Sequence, residues 1–213
     1  MERARKAEDK RERRNAILEA ARGELGRTRV QDLQMAEVAR RAGLAKGTLY
    51  LYFETREALA LGLLEELLDG WFDELERALH GARRPEPRKV AQWMLDALDG
   101  RPPLLALLAV LQSVLEHNLP KREARRFKQH LLARVLTAGQ LLEEAMKHLA
   151  PGEGARLILQ ANALAVGLYG MAEPAPVVAE VLAEPELAPL RVEFAGEFVD
   201  VMDALLSRKR REK

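Results

Sequence analysis

Cysteine is absent from this chain, which excludes disulfides, thiolate metal sites and a cysteine nucleophile. Serine occurs only as Ser113 and Ser207, and neither lies in the glycine-flanked elbow that exposes a catalytic serine. The histidines His80, His117, His130 and His148 include no pair at metal-ligand spacing, so no metal is expected. Gly152-Glu153-Gly154 is half of a dinucleotide-binding pattern, but it follows a helical stretch rather than a strand. It reads as a loop, and no cofactor is expected. Long apolar runs are missing as well. Leu104 to Leu111 is apolar at all eight positions, well short of the ~18 residues of a membrane span. The amino terminus carries Arg3, Arg5, Lys6, Glu8, Asp9 and Lys10 and no apolar signal core. These absences argue against an enzyme, a secreted protein or a membrane protein, and a cytoplasmic chain is expected.

What is present is globular in character, with 48% hydrophobic and 31% charged residues. Few asparagines and many Glu and Arg fit either a thermophile or a GC-rich genome. The formal net charge of +1 conceals an asymmetry. Residues 1–56 hold 14 Lys and Arg against 9 Asp and Glu, whereas residues 57–213 hold 20 against 24. A basic head on an acidic body is the electrostatic layout of a protein that grips nucleic acid through its amino-terminal part.

Apolar periodicity predicts an all-α chain of about nine to ten helices with no strand. Residues 1–14 read as a basic arm, either frayed or reaching into a minor groove. Ile17, Leu18, Ala21 and Leu25 mark a first helix that Gly26 closes. A long helix follows from Thr55 to about Leu79, with Leu59, Leu63, Leu67, Trp71 and Leu75 on one stripe. Beyond the break at residues 80–87, a helix over about 88–98 precedes the apolar run 104–111, which is expected to be buried on every side and to continue to Leu115. Pro120 opens a helix whose stripe includes Phe127, Leu131, Val135 and Leu142. The last two long helices are predicted over about 153–171 and 185–207, with a short one near 177–182 between them. The expected domains are 1–56, a three-helix head, and 57–213, a helical body.

The stretch Met35 to Leu59 carries the most information. Ala36, Val38 and Ala39 form a small apolar face, and Gly43 permits the left-handed stop of a helix. Residues 42–45 then span a turn of the length used in a helix-turn-helix. The second helix, 46–52, has Leu49 for the core and Lys46, Thr48, Tyr50 and Tyr52 to offer hydrogen bonds to phosphates or base edges. Thr55 suits an N-cap of the next helix, with Glu57 in its first turn.

The run Lys46-Gly47-Thr48-Leu49-Tyr50-Leu51-Tyr52-Phe53-Glu54-Thr55-Arg56-Glu57-Ala58-Leu59 resembles the DNA-binding signature of the TetR-type bacterial transcriptional regulators, K-G-T-[LV]-Y-x-[YH]-F-x-[ST]-[KR]-E-x-L. The chain departs from the family at two places. Ala45 stands where the family usually has a capping Ser, and Gln34 and Met35 where it favours a phosphate-binding Thr.

The resemblance implies a regulator, most simply a repressor, that binds a palindromic duplex operator as a homodimer and is released by a small-molecule effector. By matching positions, Lys46, Gly47, Thr48, Tyr50, Tyr52 and Arg56 would contact DNA, with Thr48 and Gly47 nearest the base edges; Gln34, which departs from the family's Thr, still offers a donor to a phosphate. A body of this kind would host an apolar or amphipathic ligand, and the pocket is expected to draw on Trp93, Leu108, Leu111, Gln112, Leu115, Phe127, Leu131, Val135, Asn162 and Tyr169. The dimer is expected to form through the last two long helices, at Leu157, Ala161, Leu164, Leu168, Leu190, Phe194, Phe198, Val201 and Leu205. The alternatives are a DNA-binding regulator answering to a protein partner or acting as an activator and, more remotely, a structural helical protein or an enzyme.

Overall fold

The computed structural model describes residues 2–101, 103–111 and 119–208, with side chains from residue 8 onward at the amino terminus. Among the described residues there are ten α-helices and no strand, as expected. They are α1 (Glu2–Leu25), α2 (Met35–Arg41), α3 (Lys46–Tyr50), α4 (Arg56–Leu79), α5 (Pro87–Asp96), α6 (Pro103–Val110), α7 (Lys121–Ala145), α8 (Glu153–Ala172), α9 (Pro176–Leu182) and α10 (Phe194–Leu206). Short 3-10 helices occupy Val30–Asp32 and Pro185–Leu190. By packing the chain forms two compact units. The first takes the residues up to Leu67 and the stretch ending at Ala124; the second takes Leu68–Arg101 and the chain from Arg125 onward.

In the first unit, Ile17, Leu18 and Ala21 are fully buried and hold α1 in place. The expected arm is instead the first half of this helix, which begins at Glu2. Residues 8–14 are good helix formers of mixed charge with no Gly or Pro. Once packing fixes the turn at Ile17, each further residue adds a backbone hydrogen bond without a new nucleus. Val30, Leu33, Met35, Val38, Ala39 and Leu49 complete the small core of this head. α2 packs on α1 and α3 on α2. Arg22 reaches Glu66 at 2.5 Å and Arg41 reaches Glu24 at 2.6 Å, so ion pairs close the rim of the core. α6 packs on the 3-10 helix Val30–Asp32. It is not buried on every side: Leu104, Leu107 and Leu111 are buried, but Ala109 is exposed. The expected continuation through Leu115 lies outside the described residues.

In the second unit, the later part of α4 supplies Trp71, Phe72, Leu75 and Leu79 to a core shared with α5, α7, α8 and α10. The buried indole of Trp71 donates from Nε1 to the Met94 carbonyl at 3.0 Å, so its polar atom is satisfied. Arg134 on α7 reaches Asp73 at 2.7 Å and Glu76 at 3.1 Å, while its guanidinium lies 5.3 Å over the Phe72 ring. Nearby, His130 Nε2 and Asp69 Oδ1 are 2.7 Å apart. α7 and α8 cross at Gly139 and Gly154, where a Cβ on Gly154 would fall 2.1 Å from the Gly139 oxygen. The start of α8 is fixed by Glu143, whose Oε1 accepts from the amides of Gly152 and Gly154 at 2.8 and 2.9 Å.

The helix predicted over 185–207 is two elements. Pro185 and Pro189 lack the amide donors of a continuous α-helix, and Pro185–Leu190 coils as 3-10. The chain then extends through Arg191 to Glu193 before α10 begins. Arg191 stabilises the break by donating to the carbonyls of Leu182 at 2.6 Å and Ala183 at 2.7 Å. Glu193 caps α10, accepting from the amides of Ala195 and Gly196 at 3.0 and 2.6 Å.

Candidate nucleic-acid interface

The reading pair is α2 and α3. α2 ends in a Schellman motif: Leu44 N–H donates to the Ala39 carbonyl at 2.9 Å and Gly43 N–H to Arg40 at 3.2 Å. Gly43 adopts φ +67°, which an L side chain would strain. This stop turns the chain sharply into Leu44 and Ala45. Ala45 is the N-cap of α3 and gives no side-chain hydrogen bond, as its side chain dictates. Its carbonyl still accepts from Thr48 N–H at 2.9 Å, which starts the helix.

Leu49 is fully buried and Phe53 nearly so, which anchors α3 to the head. The Phe53 ring fills the space that a side chain at Gly62 would need, since a Cβ there would lie 2.8 Å from its Cε1. Arg14 lies 5.3 Å over the same ring. Thr55 Oγ1 accepts from Ala58 N–H at 3.0 Å, the predicted cap of α4.

With Leu49 inward, the rest of α3 faces out. Lys46 and Gly47 are exposed, Thr48 and Tyr52 half-buried, and Tyr50 is 40% exposed. Lys46 Nζ lies 6.0 Å over the Tyr50 ring, so the ammonium and the phenol present one cationic, hydrogen-bonding edge. Gln34, the N-cap of α2, is exposed and makes no side-chain cap, leaving its amide free for another partner. Arg56 is engaged within the head through three N–H groups: it donates to the Gln31 carbonyl at 2.5 Å and to Glu57 Oε1 from Nη2 at 3.0 Å and Nε at 3.3 Å. Two of its five N–H groups remain for a phosphate. Arg40, one turn before Gly43, pairs with Glu37, and that hydrogen bond holds the Glu37 carboxyl below the ordinary carboxylate range. Leu51, which the sequence reading assigned no role, is 81% exposed.

The residues expected to line a ligand pocket divide between the two compact units. Leu108 and Leu111 belong to the first unit, and the others that are described belong to the second. Gln112 and Leu115 lie outside the described residues. On α7, Phe127 and Val135 are buried and Leu131 is half-buried. Trp93 is half-buried with Lys89 Nζ 5.9 Å over its ring. Burial, and then the Glu173 carboxylate, push the Tyr169 phenol above its ordinary value. Asn162 is exposed on α8. Two open grooves mark the second unit. One of about 510 Å³ is lined by Arg84, Met146, Lys147 and His148, and one of about 390 Å³ by Met171, Leu182 and Arg191.

The expected dimer residues also divide. Leu157, Ala161 and Phe198 are 6%, 2% and 2% exposed and belong to the chain's own core, because α10 packs on α5 and α8 of the same chain. An apolar stripe shows that a face is covered, not by what, and here the covering elements are internal. Leu164, Leu168, Phe194 and Leu205 are half-buried, while Leu190 and Val201 are exposed. The outer face of α8 presents Leu159, Ala163, Gly167, Gly170 and Met171 instead.

Residues 17–63 match the model of bacterial regulatory proteins of the tetR family, and residues 65–207 match that of the tetracyclin repressor-like C-terminal domain. Over 65 residues the chain is 34% identical to YvdT, an uncharacterized HTH-type transcriptional regulator of Bacillus subtilis (strain 168). That match covers 30% of this chain and 34% of the relative, about a third of its length. Two solved structures share the fold across most of both chains. FadR of Thermus thermophilus, a TetR-family transcriptional repressor in complex with lauroyl-CoA, is 21% identical, covering 94% of this chain and 98% of its own with a TM-score of 0.54. FadR of Bacillus subtilis in complex with stearoyl-CoA is 15% identical, covering 89% and 97% with a TM-score of 0.54.

Proposed function

This chain belongs to the TetR family of bacterial transcriptional regulators, and from that premise we propose that it is a repressor released from its operator by an amphipathic ligand. The observation that carries the DNA-reading part is the division of α3: Leu49 is buried, while Lys46, Gly47, Thr48 and Tyr50 face outward behind a glycine-stopped α2. In this reading α3 enters the major groove, with Thr48 and Gly47 at base edges. Lys46, Tyr50, Tyr52, Gln34 and the free N–H groups of Arg56 hold phosphates. Functionally the chain divides into a reading head, 1–56, and an effector and dimerisation body, 57–213. α4 contributes residues to both compact units and is the element through which a ligand would act on the head.

The partner copy is assigned to the outer face of α8 together with Val201 of α10, because that face is apolar, small-residued and uncovered in one chain. Two reading heads then require a near-palindromic operator. The ligand is proposed to carry an acyl chain set against Phe127, Leu131 and Val135, an apolar stripe on α7, with Lys128 Nζ 5.6 Å over the Phe127 ring. The acyl-CoA complexes of two proteins with this fold support the class. A coupling of ~1–3 kcal/mol would weaken operator binding about 5–150-fold, and operator DNA would weaken the ligand by the same factor. The test is to select duplexes from a random pool, then titrate the bound complex with lauroyl-CoA and with free coenzyme A. Release by the acyl thioester alone is expected. Tight duplex binding that no acyl thioester disturbs would refute the ligand class and favour control by a protein partner.

A further inference from the structure

We infer that Leu51 is a specificity-determining residue that reads the C5-methyl group of a thymine in the major groove. The inference rests on α3 being the DNA-reading helix. A helix advances about 100° per residue, so Gly47 and Leu51 lie about 20° either side of the pole opposite the buried Leu49. Leu51 keeps this geometry, with φ −71° and ψ −18° directly after the last residue of α3. The pole that points furthest from the core therefore holds no hydrogen-bonding side chain. Gly47 is bare, and a Cβ built on it meets nothing within 4 Å, so backbone can approach a groove floor closely there. One turn on stands Leu51, at 81% exposure, whereas the neighbouring Tyr50 is 40% exposed. The groups able to donate flank the pole: Thr48 on one side, Lys46 and Tyr50 on the other.

In the major groove, the apolar feature of a base pair is the thymine methyl; the remaining edges offer donors or acceptors. A leucine at the pole leaves those polar edges unpaired but covers a methyl, so the base favoured opposite it is thymine. Discrimination at that position comes from burial of one methyl group and equals about fourfold.

The test uses the full chain and the duplex it selects from a random pool, with each thymine replaced singly by deoxyuridine. One thymine in each half-site is expected to show about fourfold weaker binding when its methyl is removed. Leu51→Ala should bind the thymine and deoxyuridine duplexes equally, and Leu51→Met should retain the preference; circular dichroism checks that both fold. The inference is overturned if wild-type protein is indifferent to every replacement, or if Leu51→Ala keeps the sensitivity at the same base. Wild-type protein that selects no duplex at all would sink both this inference and the reading beneath it, and would show before any uracil is introduced.

Discussion

Replacing Gly154 by alanine tests whether the second unit is built on a backbone-to-backbone crossing. In a free helix this change is favourable by roughly 0.5–1 kcal/mol, because alanine is the better helix former. Here the new methyl would lie 2.1 Å from the Gly139 carbonyl oxygen, 1.3 Å inside the 3.4 Å at which ordinary contact begins. The three nearest atoms are all Gly139 backbone, so no side chain can swing aside. α8 must move off α7, and with it the two amides that Glu143 holds. Overpacking of this kind costs about 1–3 kcal/mol, which outweighs the helix gain and leaves the variant destabilised by about 1–2 kcal/mol. For a chain of this size the thermal midpoint should fall by about 2–8 °C, read by circular dichroism. Gly23→Ala is the control: it sits in α1 with nothing within 4 Å of the added methyl, and should hold or raise the midpoint. A Gly154→Ala protein as stable as wild type would refute the argument. The shift also bears on function, because the outer face of α8 is where the partner copy is proposed to dock.

Removing the cap of α4 by Thr55→Ala should lower stability by about 1 kcal/mol in denaturant unfolding, through loss of the bond to the Ala58 amide. The Glu74 carboxyl is held below its ordinary value by its hydrogen bond from Arg101, so its contribution is complete above pH 4.5 and is lost as the pH falls below that. Arg101→Gln should remove that part of the acid slope in stability measured against pH. Leu159→Glu, on the exposed face of α8, should give a folded monomer in sedimentation, whereas Phe198→Glu should unfold the chain.

The reading head was legible in the sequence because its determinants are local. Gly43, Leu49, Phe53 and Thr55 each fix a turn, an anchor or a cap within a few residues, and the structure places each as its chemistry requires. The all-α class followed from periodicity in the same way. What a stripe packs against is a tertiary fact. Phe198 and Leu157 carried the right spacing for an interface but face elements of their own chain. The break at 191–193 depends on Arg191 reaching back to the carbonyls at the end of α9, eight or nine residues away. Charge without an apolar stripe concealed the helix over residues 2–14, since its nucleus lies outside that segment, at Ile17 and Leu18.

The central claim is that α3 grips duplex DNA through its outward edge. The direct measurement is the salt dependence of operator affinity for wild type, Lys46→Ala and Tyr50→Ala. Lys46→Ala should weaken binding on all sequences and reduce the slope of log affinity against log salt by about one, because one phosphate contact is lost. Tyr50→Ala should weaken binding through loss of its phosphate hydrogen bond. Operator affinity and salt slope left intact by both substitutions would contradict the account.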